Sequence, residues 1–376
     1  MILVNLHRFF FRVASLVVLF PYFQLFGEFG GIQPYVTGTF LILFLFISIQ
    51  RIPTSKPYFI FSIPILFVLI NFILGGDTNY LFFRNFFSYL TFSLVFYVFS
   101  VYLVLFKFPK KIFFYGILVW IIAALLQLIF GETVFYSLIA SSTTSSRGAA
   151  SLATEPSFFA LQLCILLSIL YLYDDNFKAF SYIILGFVGL ALSQSIIGGW
   201  FYMNMYLSTL IYKKRLSLKY VSLGILGLFL TFILLQDKRF GGLLSNIFDL
   251  NFTGILLDSS ASKRLYGAIT PLILSSNNFF IPLIDPIEAI NKFECLNCRN
   301  DYKLASYLGN FIFHFGFIFL TFIFLLFLKL KSLKNIFTFF FLIIFLLFEI
   351  PVAHPLVALL LVYYYRAYKH IFEEGR

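Results

Sequence analysis

Residues 145–163 read SSRGAASLATEPSFFALQL, a run of small and polar residues that passes through a proline into an apolar segment. The run carries one arginine, Arg147, and one glutamate, Glu155, while the sequence on both sides is hydrophobic. A helix that rises ~1.5 Å per residue needs about 20 apolar residues to cross a bilayer. Apolar segments of about that length recur along the chain, so this stretch is predicted to connect a polar loop to a membrane-spanning helix.

The composition is also that of a membrane protein. Of the 376 residues, 61% are hydrophobic and 11% are charged, and the mean hydropathy is +0.96. A soluble domain carries roughly 25% charged residues. We therefore predict an all-α polytopic membrane protein, a single integral membrane domain over residues 1–376. About twelve transmembrane helices are expected, at about 9–26, 34–49, 57–74, 86–106, 112–130, 156–173, 177–193, 196–212, 218–236, 306–328, 335–350 and 353–368.

The positions of the charges predict the orientation of these helices. Twelve spans put both termini on one side, and that side receives most of the 27 Lys and Arg residues. It receives only four of the 16 acids, Asp174, Asp175, Glu373 and Glu374. Because Lys and Arg are concentrated in cytoplasmic loops, both termini are predicted to be cytoplasmic. The net charge of +11 is thus an orientation signal, and no nucleic-acid partner is expected.

Two long connections fall on the opposite, outer face, at about 131–155 and 237–305. Loops of this length in a compact chain are usually functional or disordered. The second is a large, late extracytoplasmic loop with apolar stretches such as FFIPLI, which favours interfacial or re-entrant structure over a solvated tether.

The first long loop supplies two candidate residues. Arg147 is either a solvated loop residue or a clamp for a phosphate or diphosphate, which a guanidinium binds in bidentate fashion. Glu155 precedes Pro156, and proline is favoured in the first turn of a helix, so Glu155 lies at or beside an N-cap. Its carboxylate either caps the helix against the macrodipole or acts as a general base.

Further polar residues lie at or near the predicted outer surface, where ionisable groups are costly and often functional. The sequence DSSASKRL at 258–265 predicts a helix start that carries cations and serine. His314 is expected roughly 12 Å below the surface, as a packing residue or as an acid or base. Glu349 and His354 flank a short outer turn and are expected to be exposed. The candidate substrate-binding residues are Lys263, Arg239, Arg84, Ser259 and His314.

The three cysteines and the other potential ligands do not predict a metal site. Cys164 is expected to be a small packing residue within a span. Cys295 and Cys298 form a single CxxC, which offers too few ligands for structural zinc and leaves a disulfide or free thiols open. No cluster of carboxylates, His or Cys has metal-ligand spacing. Neither a metal nor a cofactor is therefore expected.

Three stretches, in this order, resemble the bacterial O-antigen polymerases of the Wzy type, within the superfamily that includes the O-antigen ligases. In 145–163 an arginine and a small-residue run lead into TEPS at a helix start, LALSQSIIGG at 190–199 resembles a Ser-x-Ser turn, and SSASKRL at 259–265 resembles an S-A-x-x-R helix. DYKLASYLGN at 301–310 lacks the histidine–asparagine pair of the ligases, which favours a polymerase.

The resemblance implies a metal-independent glycosyltransferase of lipopolysaccharide biosynthesis at the outer face of the bacterial inner membrane. It would transfer a growing glycan from undecaprenyl diphosphate onto a repeat unit linked to a second undecaprenyl diphosphate. Arg147 and Arg264 would stabilise the leaving diphosphate with support from Lys263, and Glu155 would be the base. The expected partners are the lipid-linked oligosaccharide, membrane lipid and a chain-length regulator protein.

Three alternatives remain open at this point. An O-antigen ligase would use the same donor with a lipid A core as acceptor. A flippase or transporter for lipid-linked oligosaccharides would need cations along a cavity within the spans, where this chain has mainly Asn71, Gln127, Gln162 and His314. A scaffold role is the third.

Overall fold

The computed structural model describes residues 2–24, 32–50, 57–139, 148–215, 217–234, 270–283, 306–330, 332–347 and 350–373. In these ranges the protein is all-helical, with no β-strand. The helices are α1 (Ile2–Leu19), α2 (Pro34–Ile49), α3 (Ser62–Ile73), α4 (Tyr80–Leu105), α5 (Lys110–Phe130), α6 (Pro156–Tyr173), α7 (Ala179–Ser193), α8 (Ile196–Tyr212), α9 (Leu218–Leu234), α10 (270–277), α11 (Tyr307–Leu328), α12 (Leu333–Leu346) and α13 (Pro355–Glu373). Single turns of 3₁₀-helix precede α3 at Tyr58–Phe61 and follow α5 at Glu132–Phe135.

The apolar helices confirm the prediction of a helical membrane protein. Among the described residues, α4, α5, α6 and α11 are long and apolar enough to cross a bilayer, and α2, α7 and α12 are shorter apolar helices. Each of the twelve predicted spans overlaps one of the helices given above. The number of membrane crossings stays a prediction.

The chain folds into two compact units. The first comprises Met1–Pro64, Arg84–Gly199 and Ala353–Arg376, and the second comprises Ile65–Phe83 and Trp200–Val352.

In the first unit α6 is the central helix. It packs against α5, α7 and α13, while α1 packs against α2, α5 and α13. Apolar residues occupy every face of α6, and the helix is buried along almost its whole length. A helix that is hydrophobic all round is either buried in protein or spans a membrane, and the packing of α6 shows that protein surrounds it along most of its length.

Two side-chain contacts identify one end of the first unit. Lys110 Nζ at the start of α5 lies 3.1 Å from Asp174 Oδ1 after α6, and Arg366 Nη1 in α13 donates to Leu103 O in α4 at 2.7 Å. Lys110, Asp174 and Arg366 belong to the face predicted to be cytoplasmic. At the opposite end α1, α5 and α7 finish and α6 and α13 begin.

In the second unit α11 packs against α12 and is broken at Gly316, where φ is 50° and ψ is −127°. In a regular helix Phe317 N–H would bond Phe313 O. Here Phe317 N–H donates to Phe280 O and Leu283 N–H donates to Phe313 O, both at 2.9 Å. A Cβ at position 316 would lie 2.1 Å from Phe280 O, so this approach of two backbones requires glycine.

Residues 280–283 thus satisfy the two backbone groups that the break in α11 would leave without partners. Non-helical backbone in the middle of a long apolar helix is tolerated where protein buries and satisfies it. The described apolar part of the late outer loop thus packs against α11, and its interfacial or re-entrant position stays a prediction.

Candidate functional site

Residues 148–155, the second of the two described parts of the first long loop, pack into the first unit. Ala149, Ala150 and Ala153 are almost completely buried. Ala149 N–H donates to Leu192 O at 2.9 Å, and a Cβ on Gly148 would lie 2.6 Å from Ser193 O. The structure therefore brings together two of the three motif stretches, because Gly148 and Ala149 belong to the first and Leu192 and Ser193 to the second.

Ser151 anchors this loop to α5. Its N–H donates to Gln127 Oε1 at 2.8 Å and its Oγ donates to Trp120 O at 2.6 Å. Ser151 has a φ of 55°, a left-handed conformation that costs a residue with a Cβ ~1–2 kcal/mol. Two buried hydrogen bonds, each worth about 1 kcal/mol, offset that cost. These hydrogen bonds hold the loop against α5 at the level of Trp120 and Gln127.

The carbonyl of Leu19 links three helices at the same end of the unit. It belongs to the last turn of α1, where carbonyl groups lack a partner within the helix. Trp120 Nε1 on α5 and Gln162 Nε2 on α6 both donate to it at 3.0 Å. The Trp120 ring also stacks between Phe20 and Phe159, at centroid distances of 6.3 and 6.1 Å. These contacts fix the end of α1 against α5 and α6.

Glu155 is the N-cap residue of α6, as predicted, with φ −144° and ψ 155°, and Pro156 occupies the first helical position. Its backbone carbonyl accepts from Phe158 N and Phe159 N at 3.0 and 3.1 Å. Its side chain makes no capping hydrogen bond; Oε2 instead accepts from Ser157 Oγ at a long 3.5 Å. The half-buried carboxylate therefore stands at the start of α6 without a capping hydrogen bond, and its two interpretations, interaction with the helix macrodipole and general base, both stay predictions.

The second motif stretch forms the turn between α7 and α8. Gln194 ends α7 in a left-handed conformation, with φ 48°, and its N–H donates to Leu190 O at 2.9 Å. Ser195 Oγ accepts from Gly198 N at 3.0 Å and so caps the first turn of α8. Gln194 thus ends α7 and Ser195 starts α8, which fixes the Leu192 and Ser193 carbonyls that contact Ala149 and Gly148.

His354 corrects an expectation from the sequence. Exposure was expected in its short turn, but the residue is 0% exposed, because α13 begins there and packs against α1 and α6. Its ring lies 6.3 Å from that of Tyr22, which is 1% exposed. This pair was not predicted from the sequence. The signal that could have found it is the order His354-Pro355, which repeats the pattern of Glu155-Pro156 at a helix start.

Two candidate substrate-binding residues are described apart from this end of α6. Arg84, in the second turn of α4, is exposed, and its carbonyl accepts from Ser88 Oγ at 2.8 Å. His314 belongs to the second unit, is 3% exposed and meets the Phe67 ring edge-on at 5.2 Å. That burial among aromatic rings favours the packing interpretation of His314.

The remaining candidates lie outside the described residues, so their predicted roles are untested: Arg147, Arg239, Ser259, Lys263 and Arg264, together with Cys295, Cys298 and Glu349. Cys164 is buried in α6, as expected of a packing residue. Within the described ranges, no group of three or more His, Cys, Asp or Glu side chains is placed to hold a metal ion.

Comparisons of the chain with protein-family models, with curated proteins and with solved structures find no match. The site is thus defined by its own geometry. A half-buried carboxylate marks the start of α6, directly after a buried loop that is tied to α5 and α7.

Proposed function

We propose that this protein is a polysaccharide polymerase of the O-antigen type. It transfers a growing glycan from undecaprenyl diphosphate onto a repeat unit carried by a second undecaprenyl diphosphate, at the outer face of the bacterial inner membrane. In this proposal the chain crosses the membrane about twelve times, both termini are cytoplasmic, and a chain-length regulator is a partner.

The observation that carries the proposal is the contact of Gly148 and Ala149 with Ser193 and Leu192. It joins two sequence stretches that were singled out separately for their likeness to the same family. The contact also fixes Gly148, the residue that follows Arg147 in the sequence, and the chain is held from Gly148 to the N-cap Glu155.

The chemistry requires a base, an acceptor and a stabilised leaving group. The acceptor's sugar hydroxyl attacks the anomeric carbon of the donor glycan, a new C–O bond forms, and the bond between that carbon and the diphosphate oxygen breaks. Undecaprenyl diphosphate leaves with the bonding electron pair, and Glu155 takes the hydroxyl proton. Arg147 and Arg264, with Lys263, stabilise the charge on the leaving diphosphate.

The expected contributions are large enough to measure. General base catalysis is worth about 10²–10⁴ in rate, and one fixed electrostatic donor about 10²–10³. Because Glu155 does not use its side chain to cap α6, its removal should affect turnover more than folding.

The test is complementation of a deletion strain of the source bacterium with wild-type protein or the Arg147→Ala variant. We expect the variant to accumulate normally in the membrane and to yield lipopolysaccharide core that carries a single repeat unit but no long polymer. The matched control is Arg12→Ala, an exposed arginine of α1 on the predicted cytoplasmic face, which should leave the polymer ladder intact.

Other results of this assay would identify the alternative functions, a ligase or a flippase. Lipopolysaccharide core without any repeat unit, with polymer still attached to the lipid carrier, is the result expected of a ligase. Lipid-linked units that remain on the cytoplasmic face would identify a flippase. An unchanged polymer ladder in the deletion strain would contradict all three functions, namely polymerase, ligase and flippase.

A further inference from the structure

The second unit carries a group of basic side chains where α8 ends, α9 begins and α11 turns into α12. We call this group the basic cluster. All of its members belong to the face predicted to be cytoplasmic, and each is exposed or half-buried. They are Lys213, Lys214, Arg215, Lys219, Lys329 and Lys334.

Helix packing brings the end of α8 to the start of α12. Lys334 Nζ, in the first turn of α12, lies 5.1 Å from the centroid of the Tyr212 ring, at the last residue of α8. Further along both helices, the Phe201 and Phe345 rings meet edge-on at 5.7 Å. The two contacts show that α8 and α12 run antiparallel, so the cations after Tyr212 and those around Lys334 belong to one surface.

Lys214 stands in a conformation that favours glycine. Its φ is 54°, and the chain leaves α8 through two hydrogen bonds, from Lys214 N–H to Ile211 O at 3.1 Å and from Arg215 N–H to Leu210 O at 3.0 Å. This is the helix ending in which glycine usually occupies the left-handed position. A side chain is strained there, so the helix end by itself does not explain the lysine.

Lys334 is also placed against local preference. It is the second residue of α12, and the positive end of the helix dipole disfavours a cation in the first turn. Partial burial and the neighbouring charge of Lys214 lower the pKa of Lys334, which lies just before the predicted span 335–350. The Tyr212 ring offsets part of this cost through a cation–π contact.

The described protein supplies no carboxylate to the basic cluster. In the first unit, by contrast, Lys110 pairs with Asp174 at 3.1 Å. Asp77 is the one acid among the described residues of the second unit, and it lies between α3 and α4 on the predicted outer face. The strain at Lys214 and the repulsion between Lys214 and Lys334 are therefore features that a bound anion would offset.

An apolar groove begins beside the same cluster. Lys219 is the second residue of α9, and Ser222, Leu223 and Leu226 follow it at spacings that place them on the same face of the helix. Together with Ile225, these three residues line a groove of about 480 Å³. A cation at the end of a helix and an apolar groove along it match the two parts of a phospholipid.

We propose that the basic cluster binds the phosphate of an anionic phospholipid from the adjacent membrane leaflet, with one acyl chain of that lipid in the groove along α9. Anionic lipids attract basic residues that lie next to membrane-spanning helices. The groove favours a lipid over a soluble phosphate, which has no apolar part to place there. The proposal concerns a site distinct from the outer-face chemistry and does not depend on it.

The test is thermal denaturation of full-length protein in neutral detergent, titrated with three probes. They are dioleoylphosphatidylglycerol, dioleoylphosphatidylcholine with the same acyl chains, and glycerol phosphate without any acyl chain. A ligand that binds the folded state raises the Tm as its concentration rises. We expect phosphatidylglycerol to raise the Tm at concentrations at which the other two probes leave it unchanged.

Two variants remove cations of the basic cluster. Lys334→Ala and Lys214→Gly should each weaken phosphatidylglycerol binding about 5-fold, as for the loss of one lysine near a membrane surface. Without lipid, Lys214→Gly should melt at or above the wild-type Tm, because glycine is unstrained at this φ. Weaker binding by a variant that is no less stable separates a lost ligand contact from a damaged fold.

Lys111→Ala is the matched control. Lys111 is the second residue of α5, as Lys334 is of α12, and it is exposed on the same predicted face. This variant should bind phosphatidylglycerol within about 2-fold of wild type. An equal loss for Lys111→Ala and Lys334→Ala would overturn the site, because the attraction would then come from the whole face. Equal Tm shifts with phosphatidylcholine or with glycerol phosphate would also overturn it, since either the charge or the acyl chain would have no role.

Discussion

Replacing Gly148 by alanine tests whether the contact between the two motif stretches matters for activity. Gly148 has a φ of +78°, and an added Cβ would lie 2.6 Å from Ser193 O and 2.7 Å from Ser193 C. Both atoms are backbone atoms, so no side-chain rotation relieves the clash. Gly75 provides a matched control, because its φ is +70° and no atom lies within 4 Å of its added Cβ.

The two substitutions share one energetic cost and differ in another. Each puts alanine in the left-handed region, which costs ~1–2 kcal/mol. Only Gly148→Ala also forces two backbones apart. Close carbon–oxygen contacts begin near ~3.3 Å, so the loop must move by roughly 0.7 Å, and such overpacking costs ~1–3 kcal/mol more. The shift should reach Arg147, the preceding residue, and misplacement of a catalytic group by about 1 Å lowers rates about 10²-fold.

The assay is the initial rate of polymer formation by full-length protein in lipid nanodiscs supplied with lipid diphosphate-linked repeat units. Rates are expressed per folded molecule, with the folded amount taken from thermal denaturation. We expect Gly148→Ala to polymerise about 10²-fold more slowly than wild type and Gly75→Ala within about 3-fold of it. Equal rates for the two variants would refute the reasoning, since the clash with Ser193 would then have no effect on catalysis.

Three further predictions concern single residues of the described structure. Glu155→Gln should fold with an unchanged Tm, because no side-chain cap is lost, but turn over about 10²-fold more slowly in the same assay; a lower Tm with a normal rate would show a structural role instead. Ser151→Gly should melt at a higher temperature than Ser151→Ala in thermal denaturation. Both lose the bond to Trp120 O, worth about 1 kcal/mol, but only glycine is unstrained at φ 55°. Gly316→Ala should lower the Tm more than Gly75→Ala, because its Cβ would lie 2.1 Å from Phe280 O; an equal loss would mean that residues 280–283 separate from α11 at no cost.

Properties that depend on residues close together in sequence could be predicted correctly. The helical membrane class follows from apolar run lengths, since a helix must satisfy its own backbone in lipid. The N-cap position of Glu155 follows from Pro156, whose missing N–H and fixed φ suit the first turn. A break near the middle of α11 was not predicted from Gly316, because a lone glycine is compatible with an unbroken helix. Its break depends on Phe280 and Leu283, which lie more than thirty positions earlier.

The sequence by itself determined the class of protein, the approximate positions of its helices and the polar loop that enters α6. Only the tertiary structure decided which side chains meet at that entrance. His354 was expected in an exposed turn, but α1 and α6 bury it beside Tyr22, and no local pattern encodes that enclosure. Likewise, Gly148 requires a glycine because of the carbonyl of Ser193, which another helix supplies. The physical reason is that helix formation is governed by neighbours within about one turn, whereas burial and close backbone contact depend on the packing of segments distant in the chain.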